Sequence, residues 1–486
     1  MKLRKLFLVV LSVVLVASLF NCGDETSAIA SGANVELTLA QTDSWWGTAK
    51  DPELQKAVAK AIGEKTNLTI KEMVIPNSQY KQKLGLLFSS GDNPDVVRVM
   101  QAMNYLPGFV VNGEIIALDD YIAKSKAASA VDPAYYDFLR INGKVHYVPY
   151  QKPAQKFLWV RQDMADKYKV SIKKEMGTEE FFNEMKKINA AEVVPLTFPK
   201  FIDNLQYFYN AFGGYANIYE KDGKHIDGFN TPEVKEALVY IKKLYDAKIL
   251  DQEFVTNENN KMRENLFTGK TAAAIDYYNR YSYYMSNAES SGNASEFIPM
   301  YTLVGPKGTK GTLNEAIQDA WVISASCKNP DRAFDLVQAL AFDPEVLTIS
   351  QIGVKDLHYT IENGVAGSTE KAKATGASFN PGYLFAANVD VKVPFKWDDA
   401  TEKSFAKQLA VAKEVEAFKG PAYAIPVWKS DKLAEVNLSV KKKREEIASK
   451  IVLGTTSLEA GMKEYEEYWN SIEGPAILEQ CNSYKN

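Results

Sequence analysis

The chain is poor in the residues that form covalent and metal staples. Three Cys and three His stand among 486 residues. Three cysteines cannot make a disulfide framework. His146, His225 and His358 are far apart and have no i+4 histidine or Cys-x-x-Cys partner, which argues against a zinc site. No Asp-x-Asn-x-Asp loop closed by a bidentate Glu is present, so calcium is not expected. No GxSxG, Walker or GxGxxG pattern falls in a strand–turn–helix context. The expectation is therefore no metal and no cofactor. An excess of one charge is lacking too: 57 Lys+Arg face 61 Asp+Glu, for a net −4. That balance argues against a nucleic-acid surface or an anionic-membrane binder.

Long apolar runs are also scarce. The one at Leu6–Phe20, broken only by Ser12 and Ser18, follows the basic Met1–Lys5. It is shorter than the roughly 20 residues of a membrane span and reads as an export signal. Leu19-Phe20-Asn21-Cys22 resembles a bacterial lipobox. Residues 1–21 are expected to be removed, with lipid on Cys22 and a small, polar tether over 22–34. The chain would then be extracytoplasmic and held to the membrane by that lipid. The removed segment carries Lys2, Arg4 and Lys5 and no acid, so the exported form is three charges more negative. Cys327 and Cys481 remain, and unpaired thiols are expected in preference to a disulfide, because a large core needs no staple.

What is plentiful is apolar and aromatic: 46% hydrophobic residues, with 26 Tyr, 23 Phe and 7 Trp. A chain of this length exceeds one ordinary core and suggests two. Val35–Ala40, Leu68–Ile75 and Asp95–Met100 read as strands. Helices begin at Asp51-Pro52-Glu53, an N-cap with Pro in the first turn, and at Ser78. This alternation predicts an α/β fold with a parallel, doubly wound sheet. Further on, Lys144–Tyr150, Phe157–Val160, Ala272–Asp276 and Ala320–Ser324 read as strands. Thr178–Ala190, Thr231–Ala247, Arg263–Thr268 and 329–341 read as helices, and the tail beyond Thr401 is helical and charged.

Four segments together resemble family 1 extracellular solute-binding proteins, the receptors of ABC importers. They are Ile141–Tyr150 with its Gly143-Lys144, Leu158–Met164, Leu266–Ile275 with Phe267 and Gly269-Lys270, and Trp321–Ser324 followed by Asn329-Pro330 and Ala333. Ile352–Thr360 is similar to a loop of the longer, oligosaccharide-binding branch. The resemblance implies a two-lobed, periplasmic-binding-protein-like α/β fold, each lobe a sheet flanked by helices, with three hinge crossings. The lobes would be 35–152 plus 277–320 and 153–276 plus 321–486. It also implies a monomer that binds carbohydrate in the cleft and serves the transmembrane subunits of an ABC permease.

Sugars present a C–H face and a hydroxyl rim, which call for aromatic plates with carboxylate, amide or Arg partners. Open sheets bind ligands at the carboxyl ends of their strands. Trp45 and Trp46 follow the first strand and Gln101 the third. Tyr150 precedes the first crossing, and Trp159 and Arg161 lie just beyond it on one strand face. Trp159 is read as core or site, and Arg161 as ligand contact or partner of Asp163. Asp276-Tyr277-Tyr278-Asn279-Arg280 opens a stretch with five Tyr in eight residues. There Tyr277 or Tyr278 would be a stacking plate and Asp276 or Arg280 its polar partner. Asp319, as ligand acceptor or hinge cap, and Trp321 form a further pair, and Tyr383 and Trp397 join them. An anchored glycoside hydrolase or lyase and a non-transport glycan-capture lipoprotein are the alternatives. A receptor without turnover is the favoured reading.

Overall fold

The computed structural model of the chain describes residues 32–42, 51–76, 79–91, 93–100, 102–149, 154–200, 202–315, 319–375, 395–418, 423 and 425–484. Cys22, Trp45, Trp46, Gln101, Tyr150 and Tyr383 lie outside them.

Strand β1 (Glu36–Thr42) buries Leu37 and Leu39, and the helix Pro52–Thr66 follows it. Asp51 caps that helix by accepting the Glu53 N–H at 2.8 Å, Pro52 occupies its first turn, and Asn67 ends it at φ 49°. Strand β2 (Thr69–Ile75), the helix Tyr80–Ser90 and β3 (Val96–Met100) continue the alternation. Then come β4 (Val148–Pro149), β5 (Ala154–Arg161), β6 (Val194–Thr197), β7 (Thr271–Tyr277), β8 (Phe297–Met300), β9 (Leu313–Glu315) and β10 (Asp319–Ile323).

Two five-stranded sheets result. The first has the order β2-β1-β3-β10-β4. The second runs β8-β5-β7-β6, with β9 also on β5. The first three strands are parallel, as expected, but β10 is antiparallel to β3 and β4, and β5 to β7. Both sheets are therefore mixed. A chain that leaves a sheet and returns at the same edge must run back the other way, which reverses the strand: Ala320 at the return pairs with Pro149 at the exit.

Each sheet has its own core. One packs Leu37, Val97, Val148, Trp321, Ile323, Leu336 and Val346; the other packs Phe157, Leu196, Ile275, Tyr284, Phe297 and Leu303 with Ile447 and Ile477 of the tail. This corrects the expected division of the chain. Residues 277–315 stay with the second sheet, because Tyr281 and Tyr284 fold back onto it, with rings 5.7 Å from Trp159 and 5.2 Å from Phe297. The helix Pro330–Phe342, assigned to the second lobe by sequence, covers the first sheet instead. Lobe 1 is thus 35–149 with 319–351, and lobe 2 is 154–315 with 399–484. A small unit, described at 352–375 and 395–397, has a core of its own.

Cys327 and Cys481 are free, one beside each core. Among the described residues no helix is long and apolar enough to cross a membrane, and no three His, Cys, Asp or Glu side chains are grouped to hold a metal ion.

Candidate functional site

Strand register locates the site. The chain leaves sheet 1 after Pro149 and enters sheet 2 at Ala154; it leaves sheet 2 after Glu315 and returns at Asp319. In sheet 1, Asp319 pairs with Met100, so the carboxyl ends of β1 and β3 lie at the crossings. In sheet 2, Tyr277 pairs with Lys156 and Glu315 with Ala154, while β6 runs parallel to β7. The carboxyl ends of β6, β7 and β9 therefore lie at the crossings too. Both lobes turn the same kind of edge toward each other, the edge at which open α/β sheets bind ligands.

The edge of lobe 1 carries a pair that spans adjacent strands. Arg98 Nη2 donates to Asp319 Oδ2 at 2.5 Å, and both side chains are largely buried. They are diagonal neighbours, since Arg98 is opposite Trp321 and Asp319 opposite Met100. The Tyr80 hydroxyl reaches the Arg98 carbonyl at 2.5 Å and the Ala40 carbonyl at 3.2 Å, tying β1 to β3, and burial pushes its pKa up. At the end of β1, buried Gln41 donates to Glu72 at 2.6 Å.

The edge of lobe 2 carries the tyrosine-rich turn. Asp276 is buried and accepts from Arg263 Nε at 2.7 Å and Nη2 at 3.0 Å, from the Tyr284 hydroxyl at 2.6 Å and from the Tyr277 N–H at 2.9 Å. Burial opposes its ionisation, but Arg263, with Arg280 and Tyr284, outweighs that and holds its pKa at about 2. Tyr277 is half-buried, with Lys156 Nζ 4.4 Å from its ring centre. Tyr278 and Arg280 are also half-buried, and the Arg280 guanidinium stands 6.0 Å from the Tyr283 ring. At the end of β6, Thr197 donates to Asp251 at 2.8 Å, and Asn257 donates to both.

The structure thus brings Tyr277, Tyr278, Arg280 and Asp319 to the facing edges. Three expected contacts are placed elsewhere. Arg161 lies at the opposite end of β5, and its five N–H groups go to Asp163 (3.0 and 2.9 Å), Leu266 O (3.1 Å), Phe267 O (2.8 Å) and Asn293 O (2.8 Å). It ties off the last carbonyls of the helix Asn259–Phe267 and has no donor left for a ligand. Trp159 is wholly buried, with Nε1 donating to Tyr277 O at 3.0 Å; it supports the turn from beneath. Trp321 is wholly buried in lobe 1. Asp276 reaches the correct edge, but its oxygens are taken by Arg263, Tyr284 and its own turn. Trp397 packs in the small unit.

Sequence reasoning missed Gln41, Arg98 and Lys156. A polar residue at a strand position that should be buried was the available signal, since both Gln41 and Arg98 interrupt apolar strands.

Comparison with known proteins accords with this geometry. The sequence profile of the family described as bacterial extracellular solute-binding protein matches residues 45–345, more than half of the chain. Lipoprotein LipO of Bacillus subtilis (strain 168) is 21% identical over 94% of this chain and 94% of its own length. A carbohydrate ABC transporter substrate-binding protein of Streptococcus pneumoniae is 24% identical over 83% of each. The crystal structure of alginate-binding protein AlgQ2 without calcium ion superposes with a TM-score of 0.65 at 15% identity, covering 94% of this chain and 98% of that one.

Proposed function

The chain belongs to the bacterial extracellular solute-binding protein family, and from that premise we propose that it captures a carbohydrate, specifically an oligosaccharide, between its lobes and delivers it to the transmembrane subunits of an ABC permease. The observation that carries this is the pair of facing strand edges: a tyrosine turn on one lobe opposite an arginine–carboxylate pair on the other. A sugar bridging them makes contacts that exist only when the lobes are together, which is the condition for a ligand to drive closure. Relatives named for carbohydrate transport and alginate binding support the ligand class.

Tyr277 or Tyr278 supplies the plate, with Arg280 and the Arg98–Asp319 pair addressing hydroxyls. Trp45, Trp46, Gln101, Tyr150 and Tyr383 complete the set. The protein acts as a monomer outside the cytoplasm, tethered by lipid on Cys22, and it does not turn its ligand over. The family match supports that last point, since the matching family is described as solute-binding proteins.

The test is calorimetric titration of the chain from Gly23 onward against neutral and acidic oligosaccharides, with small-angle scattering of each complex. One glycan class should bind and reduce the radius of gyration. Replacing Tyr277 and Tyr278 together with Ala should weaken binding by at least about tenfold, as loss of central aromatic contacts does. Absence of binding across the panel overturns the carbohydrate reading. Shortened products after prolonged incubation overturn the receptor reading in favour of a hydrolase or lyase.

A further inference from the structure

The unit described at 352–375 and 395–397 belongs to neither sheet, yet it touches the ligand-side elements of both lobes. Its hairpin, β11 (Tyr359–Glu362) with β12 (Val365–Ser368), is joined by Lys396, whose N–H donates to Gly364 O at 3.1 Å and whose carbonyl accepts from Ala366 at 2.8 Å. Ile352, Tyr359, Ala366, Phe395 and Trp397 form a core of their own. The Phe395 ring lies 5.1 Å from Tyr359 and 5.0 Å from Trp397.

From that core the unit reaches in two directions. Toward lobe 2, Trp397 stacks on Phe405 of the helix Asp399–Val415, with ring centres 6.2 Å apart. One turn further, Gln408 of the same helix accepts the Ser282 N–H at 3.3 Å, so this helix is seated on the Tyr278–Arg280 turn at the lobe 2 edge. Toward lobe 1, the short helix Glu370–Thr375 buries Ala372 completely against Leu54. Lys371 Nζ lies 3.5 Å from Asp51, the residue that caps the helix Pro52–Thr66 where it leaves the edge at β1.

We propose that this unit is a strap that couples the two ligand edges, fixing the start of the 52–66 helix and the 278–280 turn relative to one another. A hinge of bare chain would leave the lobes to move independently. A folded unit packed on both sides transmits displacement of one edge to the other, because packed side chains shift together and do not deform continuously. On the lobe 1 side the unit also continues directly from the helix Pro344–Gln351, with the Ile352 N–H donating to Thr348 O at 2.8 Å and Val354 packed on the lobe 1 core. On the lobe 2 side the attachment is an aromatic stack continuous with the strap's own core. The proposal rests on reading the crossing edges as ligand-facing, but its test uses no ligand, so its outcome is separate from that of the glycan titration.

Ala372→Glu places a carboxylate against Leu54 and should lift the strap from lobe 1. Hydrogen exchange is read on the full exported chain without ligand. Amides in 369–375 and in 52–58 should exchange at least about fivefold faster, together with those in 278–284 and 399–411 of the other lobe. The radius of gyration should rise. Lys371→Glu, a substitution at a half-exposed side chain facing Asp51, should give the same pattern more weakly, and it stands in if the first variant does not fold. Faster exchange confined to 369–375 and 52–58, or no change anywhere, overturns the coupling.

Discussion

Arg161 and Asp276 are the residues on which sequence and structure disagree most usefully. Both are charged, both lie on strands beside a crossing, and both are nearly inaccessible. Strand position predicts which end of a sheet a residue occupies but not how far its side chain is already engaged. Engagement depends on partners outside the strand: on Leu266, Phe267 and Asn293, more than 100 residues away, for Arg161, and on Arg263 and Tyr284 of the two flanking helices for Asp276. The Tyr277–Arg280 turn was legible because five tyrosines exceed what one helix face can bury. The Arg98–Asp319 pair was only half legible, since its partners are more than two hundred residues apart. Breaking the Asp276 pair has a large expected cost. Arg263→Ala leaves a buried carboxylate without its cation and should destabilise lobe 2 by about 3–5 kcal/mol. Denaturant unfolding followed at pH 7 measures it, and Asp276→Asn with Arg263 retained gives the reciprocal loss.

At the scale of elements, Asp51-Pro52 opens the 52–66 helix as predicted, whereas Ser78, the expected start of the second helix, lies outside the described residues. That helix is described from Tyr80 to Ser90, and Gly91, at φ 77°, closes it. The β-like run Lys144–Tyr150 yields only the two-residue strand β4. Buried Val145 and Tyr147 there reflect packing in lobe 1 and not pairing. The hairpin unit was seen only as a family-like loop, and a glycine explains its shape. Gly353 sits at φ 111°, and a Cβ there would come within 2.4 Å of His358 Cγ. The imidazole covers that glycine, and its Nδ1 accepts the Val354 N–H at 3.0 Å. Gly353→Ala combines a strained φ with a clash and should destabilise the strap by about 2–3 kcal/mol. Limited proteolysis should then cut within 353–375 earlier than in the parent chain.

For the whole molecule, two cores followed from length, and the two facing edges from the family resemblance joined to the strand-end rule. The ownership of 277–351 did not. Strands of both lobes are near-continuous apolar runs, and nothing local distinguishes which sheet receives them. The pH response also belongs to this scale. His146, His225 and His358 are all buried, and burial lowers each pKa below the ordinary 6.5. The unfolded chain then takes up protons at these positions before the folded one does. Stability should therefore be full above about pH 6.5 and decline as the pH falls below it. Asp276, with a pKa of about 2 against an ordinary 3.8, adds a second loss below about pH 4. Denaturant midpoints at pH 7.5, 5.5 and 3.5 should fall in that order, and replacing His358 with Gln should flatten the first step.

The placement of β10 between β3 and β4 has a consequence for how the chain acquires its structure. The strand that fills the middle of sheet 1 is the last of its five to be synthesised. All five strands of sheet 2 precede it. Until residue 323 is available, β3 and β4 have no common neighbour and lobe 1 cannot close its sheet. Such late, long-range pairing is intrinsically slow. A polypeptide exported unfolded through a membrane gains from that delay: its first lobe cannot complete its sheet until residue 323 of 486 has been made, about two-thirds of the chain.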